Sequence, residues 1–222
     1  MHMIPVLYED PSLLVCIKPA GMLSQPSEAE RESLLELLGA QQHCTLYPVH
    51  RLDRGVGGVM VCAKTSRAAG GLSAAVQRRA LEKEYLCITR GCPNPEEGVW
   101  RDLLLHDRSR NKSFVVQRMR GGAKEASLAY QVVARREEQA LVRVQLHTGR
   151  THQIRVQFAS RGLPLLGDGK YGGGTGDIAL WSFRLAFPHP DSGKHLSFCR
   201  LPEGAPWSRF EWENGAWEHT AL

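Results

Sequence analysis

Five consecutive apolar residues, Val59-Met60-Val61-Cys62-Ala63, follow directly on the glycine-rich stretch Gly55-Val56-Gly57-Gly58. A short apolar run, rich in branched side chains and bounded by a turn, reads as a buried strand. The loop before it therefore lies at the edge of a rigid element, which is where chemistry is commonly placed. That loop is His50-Arg51-Leu52-Asp53-Arg54, one carboxylate between two guanidinium groups. Two flanking cations would keep Asp53 ionised even when partly desolvated. An ionised, braced Asp is able to act as a covalent nucleophile. Taken alone, the same pattern also describes a surface ion pair at a strand end.

The rest of the chain alternates many short strands with few helices. Two strands open it, Val6-Leu7-Tyr8 and Leu13 to Ile17, joined by the Asp10-Pro11-Ser12 turn and closed by Lys18-Pro19-Ala20-Gly21. Helical spacing is found at Ser33 to Leu38, with Gly39 as C-cap, and at Ser66 to Ala80, with Ser66 as N-cap. Strands are expected at Lys83 to Arg90 and near 99–105, 112–118, 127–135, 140–147, 178–187 and 194–200. Thr151 to Ser160 reads as a further helix capped by Thr151, with His152 and Arg155 on one face of its first turns. With Arg150 just ahead of it, that N-terminus reads as an anion site. Gly172 to Gly176 reads as a flexible turn, because no Gly-Lys-Ser/Thr follows it as a phosphate-binding loop requires. The pattern is α+β, a mixed and largely antiparallel central sheet with flanking helices and loops. At 222 residues the chain suits one domain spanning 1–222.

Composition narrows the class. Hydrophobic content of 42% and charged content of 23% are ordinary for a globular protein, and no apolar run reaches the roughly 18 residues of a membrane helix. Six scattered cysteines without a CxxC pair, and an N-terminus without signal-peptide character, point to reduced thiols and a cytoplasmic location. No His or Cys spacing fits a standard metal-ligand set. The net charge of +5 suggests a polyanionic partner. Between His106 and Lys124 stand six basic residues, among them Arg118 and Arg120, against the single acid Asp107. Interleaved with Phe114-Val115-Val116, they read either as a solvated face or as a basic hairpin gripping phosphates. Trp207, Trp212 and Trp217 recur every five residues, which fits neither helix nor strand and suggests packing of the C-terminal tail.

Six segments, in order, carry a resemblance. They are Lys18-Pro19-Ala20-Gly21; His50 to Arg54 with Gly58-Val59-Met60; Lys83-Glu84-Tyr85; Gly149-Arg150-Thr151-His152-Gln153-Ile154-Arg155; Gly167-Asp168 with Lys170-Tyr171-Gly172; and Leu180 through Pro190. In these the chain resembles the RluA family of RNA pseudouridine synthases over nearly its whole length. The resemblance implies the pseudouridine synthase fold and isomerisation of specific uridines in structured rRNA or tRNA. It implies that Asp53 is the catalytic carboxylate, that Tyr85 lies against the target base, and that Arg155 pairs with Asp53. Arg51 would enter the RNA helix where the uridine left, and Leu180 would form part of the apolar floor under the base. With Arg54, Arg150, His152, Arg118 and Arg120, these are the candidate RNA contacts.

The chemistry is consistent with that set. A uridine inside folded RNA must be flipped out, at a cost of a few kcal/mol, and an aromatic face recovers about 1–3 kcal/mol by stacking. Breaking C1′–N1, turning the uracil and rejoining it through C5 needs a carboxylate at the sugar and a pocket that retains the base. It needs neither metal nor cofactor. Attack at C1′ and removal of a sugar proton towards a glycal are both open to Asp53. Val56-Gly57 stand where the family has Thr-Ser, and Gln157 and Trp181 where it has His. The resemblance carries the expectation of a stand-alone catalytic domain without the S4-type RNA-binding domain of many relatives, and a monomer is expected. Two other readings remain at this stage: a non-catalytic RNA-binding or chaperone relative, motivated by Val56-Gly57, and a hydrolase that uses Asp53.

Overall fold

A computed structural model describes residues 3–210, so Trp212 and Trp217 lie outside the described residues. The chain divides into two compact units, the first made of residues up to Lys83 together with Trp181–Pro202, the second of Glu84–Leu180 and the residues from Glu203 onward.

In the first unit, strands β1 (Val6–Glu9), β2 (Leu13–Lys18), β4 (Gly57–Ala63) and β10 (Leu180–Pro188) lie side by side in that order, with β3 (Tyr47–Pro48) on β4 and β11 (His195–Cys199) on β10. The pairings β1–β2, β2–β4, β3–β4 and β10–β11 are antiparallel, whereas β10 runs parallel to β4. The apolar run is a strand as expected, and all of β4 is buried. Its neighbour β2 pairs with it from Leu13 opposite Ala63 to Lys18 opposite Gly58. Leu13, Val15, Val59, Val61 and Ala63 share a core with Ala68 and Leu72 of α2 (Ser66–Gln77) and with Leu185 and Phe187 of β10. The Asp10 turn is held by its own carboxylate, which accepts the amides of Ser12 and Leu13 at 2.7 and 2.9 Å and the Tyr8 hydroxyl at 2.7 Å. Helix α1 (Leu34–Gln41) is capped by Ser33. Gly39 falls inside this helix, and α2 is capped by Thr65, one residue before the expected Ser66: its hydroxyl accepts the Ala68 amide at 3.1 Å.

In the second unit the strand order is β5 (Glu82–Arg90), β9 (Gln139–Leu146), β8 (Ala123–Arg136), β6 (Glu97–Asp107), β7 (Lys112–Val116). The β9–β8, β8–β6 and β6–β7 pairs are antiparallel. The alternation along β9 places Arg143 away from Val142 and Val144, but not in water. Arg143 is 2% exposed, and its Nε donates to the Glu84 carboxylate of β5 at 2.6 Å. Removing either partner would leave a buried charge and cost about 3–5 kcal/mol. Phe158 packs edge to face on Trp100 and Tyr130, with ring centroids 4.7 and 6.2 Å away, while Trp100 and Tyr130 lie tilted against each other at 4.2 Å, and the Arg161 guanidinium covers Trp100 at 4.3 Å. Trp207, in a short 3-10 turn (Trp207–Arg209), is buried, in line with a packing role.

Two expectations in this unit fail. Helix α3 spans Gln153–Ala159 only, and its boundary residue His152 is left-handed, φ 55° and ψ 25°. The Gln153 side chain ties the turn instead: its carbonyl accepts the Arg150 amide at 3.0 Å and the Thr148 hydroxyl at 2.8 Å. Thr151 is therefore no cap, and His152 lies outside the helix. The glycine-rich segment is also not open throughout, although Gly172 and Gly176 have free space around them. Gly173 donates to the Asp168 carbonyl at 2.8 Å, and a Cβ on Gly173 would stand 1.7 Å from the Leu165 carbonyl oxygen. Glycine is required there because two backbones meet. Accordingly, Gly173→Ala is expected to cost about 3 kcal/mol or more in urea unfolding. Gly162→Ala, at φ +73° with open space around it, is expected to cost only about 1–2 kcal/mol. Equal costs would contradict the close-packed reading of the 165–179 segment.

Candidate active site

The Asp53 loop is held by backbone atoms before any substrate is considered. The Leu52 amide donates to the Ser24 hydroxyl at 3.0 Å, and that hydroxyl donates back to the Leu52 carbonyl at 2.8 Å. The Val56 amide closes the turn on the Asp53 carbonyl at 3.0 Å. Leu52 and Val56 are buried on either side of Asp53, which is itself partly exposed. Arg51 is exposed.

Arg54 is held by residues outside its own loop. Its guanidinium forks onto Glu30 at 2.8 and 3.3 Å, and its Nε donates to the Gly21 carbonyl at 2.9 Å. Glu30 comes from the Ser-Glu-Ala-Glu-Arg-Glu stretch before α1, where no local pattern marks it as a partner. The cation that matters under this loop is Lys18, at the end of β2. Lys18 is fully buried, and its ammonium donates to the carbonyls of Pro19, Met22 and Arg54 at 2.8, 2.6 and 3.1 Å. Burial pulls its pKa down to about 8, while the Asp53 charge pulls it up. Only the Lys-Pro-Ala-Gly motif hinted at it in the sequence, without a role.

His50 sits behind the loop. Its Nε2 accepts the Val61 amide at 3.3 Å, so the ring proton is on Nδ1, which finds no partner among the described residues. Burial, helped by the Lys83 charge, brings its pKa down to about 3.

In the second unit, Arg155 is fixed by a carboxylate that the sequence did not single out as its partner. Its Nε and Nη2 donate to Asp168 at 2.7 and 2.8 Å, and Asp168 is 1% exposed. The guanidinium also lies 5.2 Å from the Tyr171 ring centre. Tyr171 links three segments: its hydroxyl accepts the Ser113 amide at 2.7 Å and meets His152 Nδ1 at 3.0 Å. His152 is thus part of an internal lattice. Gln157, in place of the family's His, is fully buried and donates to Asp102 at 2.7 Å. Tyr85 on β5 and Leu180 are both 6% exposed. Arg150 is partly exposed and donates from Nε to the Glu125 carbonyl at 2.8 Å. Arg118 and Arg120 are exposed, beyond the β6–β7 hairpin whose turn Asp107 holds by accepting the Ser109 and Arg110 amides at 3.0 and 3.2 Å.

The neutral His50 makes stability depend on pH. Its folded pKa lies below the ordinary imidazole value, so between about pH 6.5 and about pH 3 the unfolded chain holds a proton that the folded chain does not. Stability therefore falls as pH falls through that window, at up to about 1.4 kcal/mol per pH unit from this residue. Urea unfolding of His50→Gln across that range is expected to show a flatter acid limb than wild type. An unchanged limb would contradict a neutral, buried His50.

Residues 12–160 match the family model described as RNA pseudouridylate synthase. An uncharacterized RNA pseudouridine synthase of Aquifex aeolicus is 33% identical over 221 residues, covering 88% of this chain and 68% of that protein. The ribosomal large subunit pseudouridine synthase D of Pseudomonas aeruginosa is 34% identical, covering 94% of this chain and 67% of that protein. Among solved structures, human RNA pseudouridylate synthase domain containing 4 superposes with a TM-score of 0.74 at 26% identity, over 89% of this chain and 88% of that one. The α+β fold expected from the strand pattern is the one found. The chain belongs to the RNA pseudouridylate synthase family and is an RNA pseudouridine synthase, an isomerase.

Proposed function

We propose that this enzyme isomerises specific uridines in structured ribosomal or transfer RNA, with Asp53 acting on the sugar of a flipped-out uridine. The observation that carries the reading is the prebuilt Asp53 loop: Ser24, the Val56 turn and the Lys18 ammonium hold it through main-chain groups. A carboxylate that must meet C1′ in one geometry gains most from such preorganisation. Tyr85 and Leu180 supply apolar surface for the base, and Arg155, oriented by Asp168, supplies a fixed guanidinium for charge in the site. Arg51 is assigned to the RNA helix vacated by the uridine. Arg118, Arg120 and Arg150 are assigned to phosphates, and the location is cytoplasmic. Of the two RNA classes, ribosomal RNA comes first, since several relatives are named for the large ribosomal subunit.

In the reaction the C1′–N1 bond breaks with its electrons leaving on uracil, the base turns, and C5 bonds to C1′. The C5 hydrogen is lost to water while N1 gains a proton, so the product is an isomer and nothing else is consumed. Release of tritium from 5-tritiated uridine in unmodified rRNA and tRNA transcripts reads this directly. Wild type is expected to release it, and Asp53→Asn to be slower by at least about 10³-fold with RNA affinity retained. Full activity in Asp53→Asn would overturn the assignment. Binding with no release from any RNA would favour the non-catalytic reading that Val56-Gly57 suggests.

A further inference from the structure

Two of this chain's departures from the family pattern, Gly57 beside the Asp53 loop and Trp181 on β10, are one feature in the structure. Trp181 of β10 stands directly opposite Gly57 of β4, with Ser182 opposite Gly58. A Cβ on Gly57 would lie 2.5 Å from Cζ3 and 3.0 Å from Cε3 of the indole, and 3.1 Å from the Lys18 carbonyl oxygen. The indole edge therefore fills the space that any side chain at 57 would need. The ring is not free to swing away without cost, since its N–H donates to the Arg200 carbonyl at 2.7 Å. The adjoining Gly58 is pressed on the same strand, at φ +121° with a Cβ position 2.2 Å from the Ser182 carbonyl oxygen. Gly57 opens β4, where the turn closed between Val56 and Asp53 ends.

We propose that Trp181 is a positioning residue for Asp53: its indole, wedged on the bare backbone of Gly57, seats the end of the nucleophile loop in place of a side chain at 57. The inference rests on the reading of Asp53 given above. The absence of a side chain at residue 57 is then a requirement of the Trp181 wedge and no sign of decay. Residues 57 and 181 form a pair that must change together. A wedge of pure packing value would alter stability alone, whereas a positioning wedge alters the rate of the chemical step at saturating RNA.

The test is a cycle of wild type, Gly57→Ala, Trp181→Ala and the double variant, measured by single-turnover tritium release, RNA Kd and thermal unfolding. Alanine at 57 suits strand geometry and adds only the clashing methyl. It is expected to slow the step by about 30-fold in the wild-type background, with Kd within about threefold, because small displacements of a reacting group are costly. In the Trp181→Ala background the same methyl is expected to cost less than about threefold, the non-additivity that contact demands. Trp181→Ala alone is expected to lose about tenfold in rate with Kd retained, a result that stands even if Gly57→Ala does not fold. Trp181→Phe keeps the ring edge and is expected to remain as sensitive to Gly57→Ala as wild type. An equal loss from the methyl in both backgrounds overturns the inference. So does a Gly57→Ala or Trp181→Ala enzyme as fast as wild type, or a Trp181→Ala loss confined to Kd, which would make the indole an RNA contact. Full activity of Asp53→Asn would instead remove the reading of the loop, whatever the 57–181 cycle shows.

Discussion

An ammonium group with no access to water ties two loops of the first unit together. Lys18 has three N–H donors and spends all three on carbonyls, two from its own turn and one from Arg54 on the Asp53 loop. Burying a charge costs several kcal/mol, and hydrogen bonds to a charged group return about 1.5–3 kcal/mol each. The arrangement holds together only while all three carbonyls stay where they are. Cutting one would leave the charge undercompensated, so the Lys-Pro-Ala-Gly turn and the Asp53 loop are bound to a common geometry. The Gly21 amide, donating to the same Arg54 carbonyl at 2.9 Å, joins the two loops a second time.

Several of the enzyme's arginines are paired with carboxylates of the chain itself. Arg143 answers Glu84, Arg155 answers Asp168, Arg161 answers Asp102 and Arg54 answers Glu30. The net charge of +5 therefore says little about where RNA would lie. The exposed arginines at 51, 118 and 120 say more, because their charge is available to phosphate.

What the sequence made legible, and what it hid, divide along a physical line. The β4 run, the β2 strand, the β6–β7 hairpin and the position of the Asp53 turn were readable because period and turn chemistry are local properties. Partnerships were not: Glu30 lies 24 residues from Arg54, Asp168 lies 13 from Arg155, and Glu84 lies 59 from Arg143. The start of α3 was misplaced because Gln153 folds its side chain back on Arg150 and Thr148, outcompeting the Thr151 cap that the pattern offered. The glycines at 172–176 looked loose because glycine serves both flexible turns and close backbone contact, and only the Leu165 carbonyl decides between them. Likewise Gly57 reads as a lost hydroxyl until Trp181 is seen on top of it.

The claim that Lys18 preorganises the Asp53 carboxylate is tested most directly by the single-turnover rate of Lys18→Met on saturating RNA. Methionine fills the same channel without a charge or donor, leaving the Gly21 amide as the turn's remaining hydrogen bond to the Arg54 carbonyl. The account predicts a fall of about 100-fold or more in rate with RNA affinity changed little, because the loss is one of geometry at the reacting atom. A Lys18→Met enzyme that turns over at the wild-type rate would contradict it.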